Sequence, residues 1–279
     1  MERALVLKNV ASINLLPDFN SELTDEVLHG MVLEIVDKKD DPWYKVRTQY
    51  DYYGYAYKHD LVVDNEEASK WQNEKYAIWK LTVDVMTEPK YGSRIAATLV
   101  RGCLIKYIGV FEGKWEKVGL ADGSMGWIRI GFARSIEKLS TENDEEELRK
   151  SIVKTALDYL DTQYRWGGKS HFGIDCSGLA AMAYMMNGYL LPRDGGPQQE
   201  YLKGIKREEA KPGDLVFFPG HVAVYIGEGR YVHSTGREGY TVINSFNKES
   251  EEYREDLDKG QTGTGTIFGM SLPGIACQH

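Results

Sequence analysis

Only three of the 279 residues are cysteine (Cys103, Cys176 and Cys277), and none is spaced as in a disulfide framework or a zinc ligand pair. Proline is sparse at 8 residues, and no apolar run approaches the roughly 20 residues that a membrane helix needs. The stretch Met1–Lys8 is too charged and too short in its apolar part for a signal peptide, so a cytoplasmic location without a membrane partner is expected. Positive charge is in deficit, with 34 Lys and Arg against 42 Asp and Glu and a net charge of −8; this argues against a nucleic-acid partner or an anionic membrane surface. The balance of 42% apolar and 27% charged residues is that of an ordinary globular protein and excludes disorder and low complexity. What is abundant is glycine (29), tyrosine (18) and tryptophan (6), a composition of short strands, tight turns and amphipathic aromatic surfaces. At roughly 100–200 residues per domain, two or three folding units are expected.

The first half contains a repeat. Trp43-Tyr44-Lys45-Val46 is followed by Gly54-Tyr55-Ala56, and Trp115-Glu116-Lys117-Val118 by Gly126-Trp127-Ile128, with the same Trp-to-Gly spacing of 11 residues. Each copy is preceded by a glycine and a strand-like run, Gly30 before Val32–Val36 and Gly102 before Leu104–Ile108. Short alternating strands at this pitch predict two small all-β barrels. Acidic Asp64-Asn65-Glu66-Glu67 is the expected joint between them.

A second acidic joint, Ser140–Glu147, leads into Leu148, Ile152, Val153, Ala156, Leu157 and Leu160 at helical spacing, which predicts a helix over about 144–161. Tyr164-Arg165-Trp166-Gly167-Gly168 breaks it. A second helix should open at Cys176 and stop at Asn187-Gly188. Strands are expected at Leu215–Phe218, His221–Ile226, Tyr231–Ser234 and Tyr240–Ser245, with a hairpin turn at Gly227–Arg230, while Lys248–Thr266 is read as a rim or a long connection. Helices followed by an antiparallel sheet make an α+β domain. The expected organisation is therefore residues 1–64 and 65–138 as barrels and 139–279 as the α+β domain.

Chemistry concentrates in that last domain. A nucleophilic thiol must lose its proton, and both a helix N-terminus and a neighbouring imidazolium lower a cysteine pKa. Cys176 meets the first condition, and the backbone N–H groups beside small Ser177 and Gly178 are candidate oxyanion donors. His221 opens a strand after Pro219-Gly220, and the hairpin returns His233 on the next strand, where a second imidazole can orient the first. Spacing leaves two registers open, and a slip of one residue would put the rings on opposite faces. Cys103 reads as core, and His29, His59 and His171 read as structural.

Five segments in order, Tyr164–Gly168, Gly173-Ile174-Asp175-Cys176-Ser177-Gly178, Pro212-Gly213-Asp214-Leu215, Gly220–Gly227 and His233-Ser234, resemble the NlpC/P60 cysteine peptidases, and the repeated front half resembles bacterial SH3-like domains. The resemblance implies a papain-like α+β fold behind two SH3-like barrels, with Cys176 as nucleophile, His221 as general base and His233 as the orienting third group. The front barrels narrow it to γ-D-glutamyl-L-diamino acid endopeptidases, which release L-Ala-γ-D-Glu from cell-wall peptides. The implied partner is a murein tripeptide or longer stem peptide with a free N-terminal L-Ala, cut by a monomer that needs no metal or organic cofactor, in murein recycling. Asp194 is then the acidic partner of the substrate amine, Tyr164 a hydrogen-bonding wall, and Trp166 an apolar wall. Asp175, Ser177 and Gly195 are further substrate-binding candidates, Glu22 and Tyr57 are first-barrel candidates, and Arg193, Ser177 or the backbone near Gly195 would meet the D-Glu carboxylate. Two other functions fit the same motifs: a hydrolase of intact wall with the barrels as anchors, and a non-catalytic binder of wall peptides.

Overall fold

The structure is a computed structural model that describes residues 2–38, 41–136 and 145–270. In it the repeat becomes a repeated hairpin. Strand Trp43–Arg47 pairs with Tyr53–Tyr57 so that Trp43 faces Tyr57 and Val46 faces Gly54; strand Trp115–Gly119 pairs with Met125–Arg129 so that Trp115 faces Arg129 and Val118 faces Gly126. Glycine is required at both sites by close approach: a Cβ on Gly54 would sit 2.4 Å from Ile13 Cγ2, and one on Gly126 would sit 2.4 Å from Val85 Cγ1. The likeness extends to side chains. Phe19, Trp43 and Tyr57 form one ring cluster, while Tyr91 and Trp115 stack with Arg129 over both, and the paired positions (19 and 91, 43 and 115, 57 and 129) are each 72 apart.

Among the described residues, the first copy is a seven-stranded sheet in the order Leu23–Leu28, Val10–Asn14, Tyr53–Tyr57, Trp43–Arg47, Val32–Asp37, Glu2–Val6, Leu61–Val63. The second is a five-stranded sheet with a separate pair, Tyr76–Ile78 and Ala133–Ser135. The run expected to start a strand at Leu104 does so only at Lys106, because Leu104 N–H donates to the carbonyl of His29. The acidic joint is a capped helix, Asn65–Trp71: Asp64 accepts from the N–H groups of Glu66 and Glu67, and Trp71 is buried. Buried His29 stitches the sheets, donating from Nδ1 to Leu7 O at 2.7 Å and accepting from Ala121 N–H at 3.0 Å. Residues Met1–Ile136 accordingly cluster as one unit and Glu137–His279 as another.

The second unit opens with helix Glu145–Leu157, which buries Leu148, Ile152 and Ala156. It stops a turn short of the expected 161, where Asp161 adopts a positive φ of 63°; residue 144 lies outside the described residues, as does Cys277. Helix Cys176–Met185 is where expected. The sheet runs Lys203–Ile205, Gly263–Thr266, Leu215–Phe218, His221–Gly227, Arg230–Thr235, Tyr240–Ser245. Its second strand corrects the reading of 248–266 as a connection: the segment carries helix Glu255–Gly260 and then pairs inside the sheet. Asp214 and Gly213 of the Pro-Gly-Asp segment tie helices to sheet, since Arg149 Nη1 bonds Asp214 Oδ1 at 2.9 Å and Tyr184 OH donates to Gly213 O. Among the described residues no helix is long and apolar enough to cross a membrane.

Candidate active site

The Cys176 helix starts where it does because of Asp175. Its carboxylate caps the helix, accepting from Gly178 N–H at 2.6 Å, and its other oxygen accepts from Gly167 N–H at 2.8 Å. Beneath it lies Arg193, 2% exposed, bonded to Asp175 Oδ2 at 2.7 Å, Asp175 Oδ1 at 3.1 Å and Ser177 Oγ at 2.9 Å. Gln198 Nε2 donates to Ser177 O at 3.1 Å from the neighbouring helix Gly195–Tyr201. This buried lattice fixes the helix start, and it bears on three expectations. Asp175 and Ser177 face the protein interior, where Arg193 holds them. The Arg193 guanidinium, expected as one candidate for the D-Glu carboxylate, bonds Asp175 and Ser177. The Gly178 N–H is given to the cap, so it is not an oxyanion donor; glycine stands there because a Cβ would meet Gly168 O at 2.3 Å.

The sheet settles the open register. Val224 faces Val232 and Tyr225 faces Tyr231, which carries Ala223 opposite His233 and leaves His221 on the same face as a diagonal neighbour. The rings meet edge to face, with His221 Nε2 2.6 Å from His233 Nδ1. Ser234 Oγ donates to Ile174 O at 2.7 Å, binding this strand to the segment that ends in Cys176. Helix Cys176–Met185 packs against strand His221–Gly227, and the backbone N–H groups of Val222 and Ser177 act on the Cys176 thiol, which puts it near the residue next to His221.

Charge in this pocket differs from the expected ion pair. Burial, with the Asp175 carboxylate acting in the same direction, pushes the Cys176 thiol up to about 11, against the pull of the Val222 and Ser177 N–H groups. Burial, then His233 and Arg254, pushes His221 down to about 3. Burial pushes His233 down to about 4, partly opposed by its bond to Asn244. The helix terminus that would favour a thiolate already faces the Asp175 carboxylate. In the free site burial therefore favours the protonated thiol and the neutral form of both imidazoles.

Around this centre, Tyr164 is half-buried, and burial followed by the charges of Cys176 and Asp175 pushes its hydroxyl up to about 12. Trp166 is 61% exposed. Exposed Asp194 is the N-cap residue of helix Gly195–Tyr201, and a Cβ on Gly195 would lie 3.7 Å from Val222, beside the sulfur's donor. Glu22 and Tyr57 belong to the first unit, Glu22 exposed just before strand Leu23–Leu28 and Tyr57 ending strand Tyr53–Tyr57 between Phe19, Trp43 and His59. One close contact had no counterpart in the sequence reading: His233 Nε2 lies 2.8 Å from Asn244 Oδ1. The signal that marks it is an amide two residues after Val242, on the strand face that His233 also occupies.

Comparison with known proteins accords with this geometry. The NlpC/P60 family profile matches residues 161–255, and that of the bacterial dipeptidyl-peptidase SH3 domain matches residues 16–61. The chain is 37% identical over 271 residues to "Dipeptidyl-peptidase 6" of Lysinibacillus sphaericus, covering 95% of this chain and 99% of that one. It is 29% identical over 263 residues to the "Gamma-D-glutamyl-L-lysine dipeptidyl-peptidase" of Bacillus cereus, covering 84% and 74% respectively. The crystal structure of an NlpC/P60 family protein from Bacillus cereus ATCC 10987 superposes with a TM-score of 0.79 at 22% identity, over 95% of this chain and 99% of that one, and so shares its fold. With a cysteine at a helix start, two hydrogen-bonded histidines on the adjoining sheet and a relative matched over its whole length, the chain belongs to the NlpC/P60 family of cysteine peptidases.

Proposed function

We propose that the protein hydrolyses the γ-D-Glu–L-diamino acid amide bond of released cell-wall peptides and frees L-Ala-γ-D-Glu. The observation that carries this reading is the Cys176 sulfur lying beside the strand that bears the His221–His233 pair. The name of the Bacillus cereus relative, a gamma-D-glutamyl-L-lysine dipeptidyl-peptidase, supports the choice of bond. In this reading the Cys176 proton passes to His221 as sulfur attacks the γ-carbonyl, because neither group is charged beforehand. The resulting imidazolium gives that proton to the leaving amine, and water then attacks the thioester to release the dipeptide. His233 holds the base in orientation. Tyr164 and Trp166 wall the substrate, and Asp194 pairs with its free ammonium, which costs much to bury unpaired. Cytoplasmic recycling by a monomer belongs to the same reading.

The test is a mass-spectrometric digest of L-Ala-γ-D-Glu-L-Lys and its diaminopimelate analogue, each with a free and with an acetylated N-terminus. Release of L-Ala-γ-D-Glu from the free peptides only is expected. Equal cleavage of the acetylated peptides would transfer the assignment to a hydrolase of intact wall, and no cleavage of any peptide would leave only the binding reading.

A further inference from the structure

The hydrogen bonds of the His221–His233 pair continue through a third strand to a group whose polarity is not negotiable. His233 faces Val242 in the pairing of strands Arg230–Thr235 and Tyr240–Ser245, so Asn244 is its diagonal neighbour on the same face. Asn244 Oδ1 lies 2.8 Å from His233 Nε2, and Asn244 Nδ2 donates to the backbone carbonyl of Glu252 at 3.1 Å. A carbonyl can only accept, so the amide must turn its nitrogen toward Glu252 and its oxygen toward the ring. The carbonyl is itself held, because it also accepts from Ser245 N–H at 3.0 Å while Arg254 N–H returns to Ser245 O at 3.3 Å. Arg254 anchors the segment, bonding Asp256 at 2.8 and 2.7 Å and Glu238 at 3.1 Å.

From that fixed end the protons follow in order. Asn244 Oδ1 requires a hydrogen on His233 Nε2, so neutral His233 has a bare Nδ1. That Nδ1 accepts from His221 Nε2–H across 2.6 Å, so neutral His221 has a bare Nδ1. We propose that Asn244, oriented by the Glu252 carbonyl, is a positioning residue that sets the tautomers of both histidines and so leaves His221 Nδ1 as the one nitrogen able to take the Cys176 proton. Asn244 transfers no proton; it fixes which ring atom can. The role rests on the cysteine-peptidase reading above, and it gives the segment after Phe246 a task in the chemistry: residues 250–254 supply the far end of the chain of bonds.

The experiment uses the full-length protein labelled with ¹⁵N-histidine. At pH 7 a long-range ¹H–¹⁵N spectrum should show both His221 and His233 as Nε2–H tautomers. Asn244→Leu, similar in volume but without an acceptor, should mix the tautomers and lower kcat about 10- to 100-fold with KM little changed, the range found for outer partners that orient metal-bound histidines. Asn244→Asp should restore the Nε2–H tautomer of His233. It should also move the acid limb of the kcat profile upward, since it adds an anion to a surround of Arg254, Glu238 and Asp256. Nδ1–H on His221 in the wild type, or unaltered tautomers in Asn244→Leu at full kcat, would overturn the proposal. Should Asn244→Leu not fold, the wild-type spectrum and Asn244→Asp decide alone. Failure of the parent reading looks different: Cys176→Ala would keep its turnover whatever the spectra show.

Discussion

A neutral imidazole buried in the folded state is a liability in acid. His233 is 1% exposed, and burial lowers it to about 4, with His221 lowered to about 3. The ordinary imidazole value near 6.5 belongs to the unfolded chain. Above pH 6.5 both states are neutral and the pair contributes no pH dependence; as pH falls from 6.5 toward 4 only the unfolded chain gains protons, so stability is lost. The slope for one such histidine is about 1.4 kcal/mol per pH unit. Urea unfolding at pH 7, 6 and 5 should therefore show falling stability in the wild type and a shallower fall in His233→Gln; equal slopes would contradict the assigned neutral state. At this scale the sequence was partly legible. Cys176 and His221 could be picked out because a helix start and a strand start are local signals. The bond between His233 and Asn244 could not, since it depends on the register that brings together two residues 11 apart in the chain, and the thiol's preference for its proton depends on burial that no spacing reports.

The helix that carries Cys176 is held by one buried ion pair. Asp175 is 6% exposed, and its loss would remove the helix cap and leave the Arg193 guanidinium buried without its carboxylate. Breaking a buried pair from one side costs about 3–5 kcal/mol. Asp175→Ala should lose that much by urea titration, while Asp175→Asn/Arg193→Met, which removes both charges and keeps a capping side chain, should lose clearly less. A loss below about 1 kcal/mol in Asp175→Ala would mean that the pair does not hold the helix. Elements with strong periodicity were legible: the helices at 145–157 and 176–185 and the four strands from Leu215 to Ser245. Strand Gly263–Thr266 was not, because Gly-Thr-Gly-Thr has little strand propensity of its own, and pairing on both sides with Lys203–Ile205 and Leu215–Phe218 overrides that preference.

Across the whole molecule, the repeat in the first half and the ordered motifs in the second were readable because each is a backbone requirement written as residue type. Gly54 and Gly126 leave room for the strand beneath, and Gly213-Asp214 ties sheet to helices. Less legible was the union of the two sheets into one unit, which runs through His29 and a carbonyl contact to Leu104 rather than through any periodic pattern. The second unit has a complete hydrogen-bonded route from Glu252 through Asn244 and His233 to His221, and the helix that opens at Cys176 packs against the strand that opens at His221. In the proposed reaction the Cys176 sulfur carries the acyl group during turnover. The most direct measurement is an acid quench of the full-length protein within its first turnover on L-Ala-γ-D-Glu-L-Lys, followed by mass spectrometry of its peptides. One L-Ala-γ-D-Glu acyl group is expected on the peptide containing Cys176, and neither adduct nor product with Cys176→Ala. Product formed by Cys176→Ala at the wild-type rate, with no adduct on the wild-type cysteine, would contradict it.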